Sequence, residues 1–295
     1  MFENIIGNLK IKELLKNAIK LNKISHSYLF IGIEGIGKKM VAKEFAKKIL
    51  CKEHGECQNC KSCIEFDTNN NPDFAIIEPD GNSIKIEQIR YMQKKVQEKP
   101  IISDKKVYII NDADKMTKEA QNCLLKTLEE PPEFVTIILI GTNENQFLST
   151  IKSRCMILHF EKIEDNKIKE FLEKEYNLTN LSQNILDMFQ GSIGKAISLK
   201  DKKNQYEEIE NIINNLDKKD IIDLIKMSET LYKSKDDILE ILEYMNVILI
   251  KMAKTNVKYA SCIEVIENTK KRLSQNANYD MCIDYMLFNL KQQIV

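Results

Sequence analysis

Residues 32–39 read GIEGIGKK, set between an apolar, β-rich run (28–33, YLFIGI) and a helical pattern (39–50). Few sequence features narrow a fold more. Glycines at 32, 35 and 37 let consecutive backbone N–H groups curl round an anion. The helix that follows points its positive end at the same place. A loop of this kind belongs at the end of a strand that feeds a helix. Lys38 is placed to reach the β- and γ-phosphates of a nucleotide. The plainer reading is a glycine turn that happens to end in lysine, but the flanking strand and helix argue for phosphate.

The rest of the first half supports an α/β layout. Apolar β-rich runs recur at 74–78, 107–111, 135–141 and 156–160, with helical patterns between them. That alternation predicts a five-stranded parallel sheet covered by helices on both faces. The second half is built differently. All five prolines lie at or before Pro132, and neither glycine nor proline follows Gly194. Without breakers, apolar residues such as Ile238, Ile241, Leu242, Met245, Ile248, Leu249 and Met252 fall at helical spacing. About five packed helices are expected from residue 204 onward. The predicted organisation is an α/β domain at 1–161, a small helical domain at 162–203 and an all-helical domain at 204–295.

The nucleotide chemistry is incomplete. A phosphate loop ends in Ser or Thr because the hydroxyl ligates Mg²⁺. Here Lys39 stands there, a cation with no acceptor. A working strand end in this class carries Asp-Glu, for the metal and the attacking water. Asn111 and Asp112 occupy those places. With three positions altered, hydrolysis is expected to be lost, and binding of ATP and Mg²⁺ to be weak or absent.

Cys51, Cys57, Cys60 and Cys63 follow the pattern C-x5-C-x2-C-x2-C. Four thiolates this close suit a closed, tetrahedral structural Zn²⁺ site. His54 could replace one of them, but four cysteines are preferred. A ferredoxin-type cluster expects other spacing and a proline where Ile64 stands. The other cysteines, at 123, 155, 262 and 282, are isolated, and are expected to be core or surface thiols.

The 44 basic and 44 acidic residues cancel, which argues against a chain that grips duplex DNA by its own surface. The segment MFENIIGN has no apolar signal core, and no run reaches the ~18 to 20 apolar residues of a membrane helix. A cytoplasmic location, with reduced thiols, is expected. Only three of the basic residues are arginines: Arg90, Arg154 and Arg272. Arginine in a lysine-dominated chain marks places where lysine cannot substitute.

The order of motifs then becomes specific. After the phosphate loop and the cysteine module come the strand ending in NDAD, the run NCLLKTLEEPP (122–132), a strand end GTN (141–143) and SRC (153–155). Over about residues 1–200 the chain resembles the bacterial clamp-loader branch of the AAA+ ATPases, the loaders of DNA polymerase III. The resemblance implies an AAA+ α/β domain with an inserted zinc module at 51–63, a helical lid and a helical collar that oligomerises. It implies that Thr142 and Asn143 lie at the sensor 1 position. It also implies that Arg154 is an arginine finger acting in trans on ATP held by a neighbouring subunit. The sensor 2 arginine of motor subunits is replaced by Gly194, with Lys195 beside it. The implied partners are motor (gamma/tau) and delta subunits in a hetero-pentamer, and indirectly the sliding clamp and primed DNA. No membrane partner is expected.

Two other functions remain open on the sequence. An active ATPase motor subunit would share the zinc module and SRC, but conflicts with Lys39, Asn111, Asp112 and Gly194. A zinc element contacting nucleic acid directly would need a basic surplus. Residues 51–63 instead carry Lys52 and Lys61 against Glu53 and Glu56. Helix 118–128, with Ala120, Leu124, Leu125 and Leu128 on one side, reads as a core helix, to which the resemblance adds a role at a subunit interface. Helix 85–96 reads as core packing, and His26 as a packed histidine.

Overall fold

Five strands, β1 (Ser27–Ile31), β2 (Phe74–Ile77), β3 (Lys106–Ile110), β4 (Val135–Gly141) and β5 (Met156–His159), pair in parallel in the order β2-β3-β4-β1-β5. They come from a computed structural model that describes residues 2, 5–53, 57, 59–198 and 200–294. The three central strands, SYLFI, KVYII and VTIILIG, are buried at every position, as expected of a sheet covered on both faces. The edge strands β2 and β5 are only partly buried.

The strand pleat sorts the side chains. Tyr28 and Phe30 point to one face, where Tyr28 meets Phe45 of α2 (Lys38–Leu50) edge to face at 5.3 Å. Leu29 and Ile31 join the core on the other face. That core takes Ile89, Met92 and Val96 from α4 (Ile86–Val96), and Ala120, Leu124 and Leu128 from α5 (Lys118–Glu129). Thr117 caps α5, its hydroxyl accepting from the Ala120 N–H at 3.2 Å, and Pro131–Pro132 stops the helix. Three further helices complete this part: α1 (Leu9–Lys20), α3 (Lys61–Asp67) and α6 (Ser149–Lys152). Phe45 is fully buried, so Phe45→Ala should destabilise this unit by about 3–5 kcal/mol. A urea midpoint equal to that of the wild type would contradict the packing of α2 on the sheet.

The chain divides into two compact units. The first holds residues up to Lys167 together with Ser192–Gly194. The second holds Ile168–Gly191 and Lys195 onward. Helix α7 (Asp165–Tyr176) crosses the first boundary and α9 (Ile193–Ser198) the last. The second unit contains α8 (Gln183–Phe189), α10 (Lys203–Asn214), α11 (Ile221–Tyr232), α12 (Ile238–Thr255), α13 (Ala260–Ser274) and α14 (Tyr279–Ile294). Among the described residues, five α-helices therefore run from Lys203 onward, as the periodicity predicts. Helix α12 packs against α8, α10 and α13, and α14 against α11 and α13. The predicted face of α12 is buried from Ile238 to Leu249, and Met252 is half-buried. Among the described residues, no helix is long and apolar enough to cross a membrane.

Candidate functional site

The phosphate loop leaves the carboxyl end of β1 and enters α2 directly. Gly35 and Gly37 adopt left-handed φ values of 71° and 98°, which an L side chain resists. Gly32 has no room for a Cβ, which would lie 2.8 Å from the Cβ of Phe160. Lys38 is buried, and its ammonium donates to the carbonyls of Gly32 at 2.5 Å and Ile33 at 2.8 Å. Burial lowers its pKa, partly offset by the carboxylates of Asp114, Asp112 and Glu34. The lysine is folded back on its own loop. Lys39, where the motif calls for a metal-binding hydroxyl, forms an ion pair with Glu78 just beyond β2, at 2.6 Å. That hydrogen bond holds the Glu78 carboxyl below its usual value.

The acidic end of β3 is turned to other work. Asp112 takes a left-handed conformation, φ 49°, and pairs with Lys115 at 3.2 Å. Asn111 donates its backbone N–H to Ile77. The buried acid of this segment is Asp114, which the sequence reading did not single out. Its carboxylate accepts from the Thr142 hydroxyl at 2.7 Å, the Thr142 N–H at 2.8 Å and the Asn143 N–H at 3.1 Å. Burial works against its charge, but these bonds outweigh burial and lower its pKa. Thr142 is thus tied to the loop after β3. The Asn143 side chain accepts from the Asn145 N–H at 3.0 Å and caps the following turn.

Gly194 completes this end of the first unit. Its N–H donates to the Gly35 carbonyl at 2.8 Å. A Cβ at 194 would lie 2.7 Å from the Gly35 Cα. The phosphate loop therefore contacts backbone at position 194, and this arrangement has no room for a side chain there.

Gln121 is a second buried residue missed from the sequence. Its amide donates to the carbonyls of Met116 at 3.3 Å and Gln146 at 2.9 Å, and accepts from the Leu148 N–H at 3.0 Å. It links α5 to the loops after β3 and β4. No pattern in the sequence signals it, because a glutamine on a helix reads as surface. His26 departs from expectation in the other direction. It is exposed, because it precedes the first buried residue of β1, and its Nδ1 sits 3.4 Å from the Val135 carbonyl.

Arg154 lies at the opposite end of the sheet from the phosphate loop. In the β1–β5 register Met156 pairs with Tyr28 and His159 with Ile31. Arg154 is therefore level with about residue 26, whereas the loop begins at Gly32. Six residues of strand span about 20 Å. The guanidinium is held by its own chain. Nη1 donates to the Thr150 carbonyl at 2.9 Å and to the Ser153 hydroxyl at 3.3 Å. Nη2 pairs with Glu129 at 2.7 Å.

The four cysteines converge. Cys51 ends α2, Cys60 precedes α3 and Cys63 lies in its first turn. Their Sγ atoms and that of Cys57 lie within 4.8 Å of one another. The Cys51 and Cys57 sulfurs are 3.5 Å apart. Tetrahedral zinc with Zn–S near 2.3 Å needs sulfurs about 3.8 Å apart, so this set fits a metal such as zinc. Burial raises the Cys63 thiol well above its ordinary value, with the neighbouring Cys60 and Cys51 adding to the effect. At Cys60 burial is outweighed by backbone N–H groups of Cys63 and Lys52 and by neighbouring thiols, bringing it to about 6. Without a central cation the four sulfurs cannot all ionise together. His54, the alternative ligand, lies outside the described residues, as does Glu56. Cys123 and Cys155 are half-buried and Cys262 and Cys282 buried, apart from this cluster.

Residues 7–164 match the model of a family described as "DNA polymerase III, delta subunit". The chain is 36% identical over 187 residues to the DNA polymerase III subunit delta′ of Bacillus subtilis, covering 60% of this chain and 57% of that protein. It is 33% identical over 214 residues to the subunit tau/gamma of Haemophilus influenzae, covering 68% of this chain and 30% of that one. Both alignments thus span less than two thirds of the relative. A crystal structure of a DNA polymerase III gamma subunit-related protein from Thermotoga maritima superposes with a TM-score of 0.55, at 17% identity, over 95% of this chain and 99% of that one. At that identity the likeness speaks for fold alone.

Proposed function

This chain belongs to the clamp-loader family of DNA polymerase III subunits, and from that premise we propose that it is the delta-prime subunit, a member that hydrolyses no ATP itself and lends Arg154 to a neighbour. The trans role of Arg154 is supported by its separation from its own phosphate loop, a feature that a motor subunit would share. An arginine about 20 Å away along the strands cannot reach phosphates bound in cis. It is available to a subunit packed against that end of the sheet, and its planar fork suits phosphate oxygens.

The observation that carries the delta-prime reading over a motor subunit is the altered nucleotide site. Lys39 pairs with Glu78, Asp112 with Lys115, and Gly194 closes on Gly35. No hydroxyl is offered to Mg²⁺ at position 39, and binding of ATP with Mg²⁺ is expected to be weak or absent. Cys51, Cys57, Cys60 and Cys63 would hold one structural Zn²⁺. The proposed partners are motor (gamma/tau) and delta subunits of a cytoplasmic hetero-pentamer that loads the sliding clamp on primed DNA. The proposed domain plan is AAA+ at 1–161, lid at 162–203 and collar at 204–295.

The second reading is an active motor subunit. The similar identity to tau/gamma relatives favours it. Mixing separates the two. Under the delta-prime reading, the purified chain raises ATP turnover when added to motor subunits but contributes none alone. A mixture no faster than the motor subunits alone would count against the proposal. A version ending at Lys203, lacking the proposed collar, should fail to enter the assembly, as judged by size-exclusion chromatography. Its normal entry would contradict the collar assignment.

A further inference from the structure

We infer that Glu129 is a positioning residue for Arg154, a carboxylate that keeps the guanidinium on its own chain until a neighbouring subunit's nucleotide phosphates displace it. The inference rests on the trans reading of Arg154. An arginine has five N–H donors, and its terminal pair of nitrogens makes the bidentate approach to phosphate. Here both are engaged in cis: Nη1 by Thr150 and Ser153, and Nη2 by Glu129 at 2.7 Å. A phosphate must take over these contacts before the fork can serve it.

Glu129 has a physical reason to hold a cation. It is the last residue of α5, where the unpaired carbonyls already make the helix end negative, so a carboxylate there is unfavourable without a positive partner. Among the described residues its ion-pair partner is Arg154. The strength of the hold is suited to release. The two side chains are 33% and 48% exposed, so the pair is hydrated and weak. A triphosphate carries several negative charges against the single one of Glu129, and can outcompete it. The latch would act as a tax on engagement: the fraction of Arg154 already released scales the apparent affinity for the nucleotide it touches.

The test uses the reconstituted loader with this chain as wild type, Glu129→Gln, Arg154→Ala, or both, and ATP with Mg²⁺ as the probe. Turnover is read at the site that Arg154 adjoins. Glu129→Gln should lower the apparent KM for ATP about twofold to fivefold, the range of an exposed ion pair, with kcat little changed. On the Arg154→Ala background the same substitution should change nothing. The latch is overturned if Arg154→Ala slows the site but Glu129→Gln leaves KM unchanged or raises it, or acts equally without Arg154. If Arg154→Ala itself matches wild type, the trans reading fails, and the latch with it.

Discussion

Arg154→Ala, in a loader that still assembles, should slow ATP hydrolysis at the adjoining site by about 10³- to 10⁵-fold, the range of arginine fingers in GTPases. That corresponds to roughly 4 to 7 kcal/mol of transition-state stabilisation. The competing reading is a surface arginine whose value lies in its pair with Glu129. Such exposed pairs contribute about 1 kcal/mol or less, so the two readings differ by a wide margin. Folding should be unaffected, because the side chain is one-third exposed and sits outside the apolar core. Other sites in a ring would keep their own arginines, so bulk turnover need not collapse. Pre-steady-state kinetics with a single competent site is the better readout. Arg154→Lys should rescue poorly, since an ammonium cannot present two parallel donors.

Loss of metal from the cysteine cluster should have the largest effect on stability. Zinc in small structural sites is worth about 10–16 kcal/mol of folding free energy at neutral pH. In this chain the module is not isolated, and its loss should spread. Helix α3 is tied to the loops entering β3 and β2 by the Ser62–Ser103 hydrogen bond at 2.8 Å and by Asn71 donating to the Ser62 carbonyl at 3.0 Å, and to β2 itself by Phe66 against Phe74 at 4.5 Å. Lys47 of α2 pairs with Asp67 at its far end. Releasing the cysteines therefore loosens the start of β2 as well as the module. Cys60→Ala should abolish bound zinc and lower the thermal midpoint. Metal analysis showing no bound metal in native protein, or full zinc retention in Cys60→Ala, would contradict the assignment.

The sheet was legible because its strands obey local rules. The run 135–141 is buried at every residue and coincides with β4, and the other four runs lie within two residues of their strands at each end. The glycine pattern marked the strand-to-helix turn, and the missing breakers after Gly194 marked the helical half. Cysteine spacing found a cluster whose sulfurs do converge. What escaped depends on contacts between distant residues. Asp114 is reached only because the left-handed Asp112 turns residues 113–115 back under Thr142. The contact of Gly194 with Gly35, and of Glu129 with Arg154, leaves no periodic trace at all. Gln121 looks like a surface helix residue until its three backbone partners are seen.

A delta-prime subunit carries a nucleotide fold without hydrolysis of its own. ATP turnover by the purified chain with Mg²⁺ and primed DNA, beside a Lys38→Ala control, tests it most directly. Lys38 bonds to its own loop and Lys39 to Glu78, with no metal-binding hydroxyl at that position. Wild type and control should be indistinguishable, with no turnover above background. Steady hydrolysis that Lys38→Ala abolishes would contradict it, and would make this chain a motor subunit.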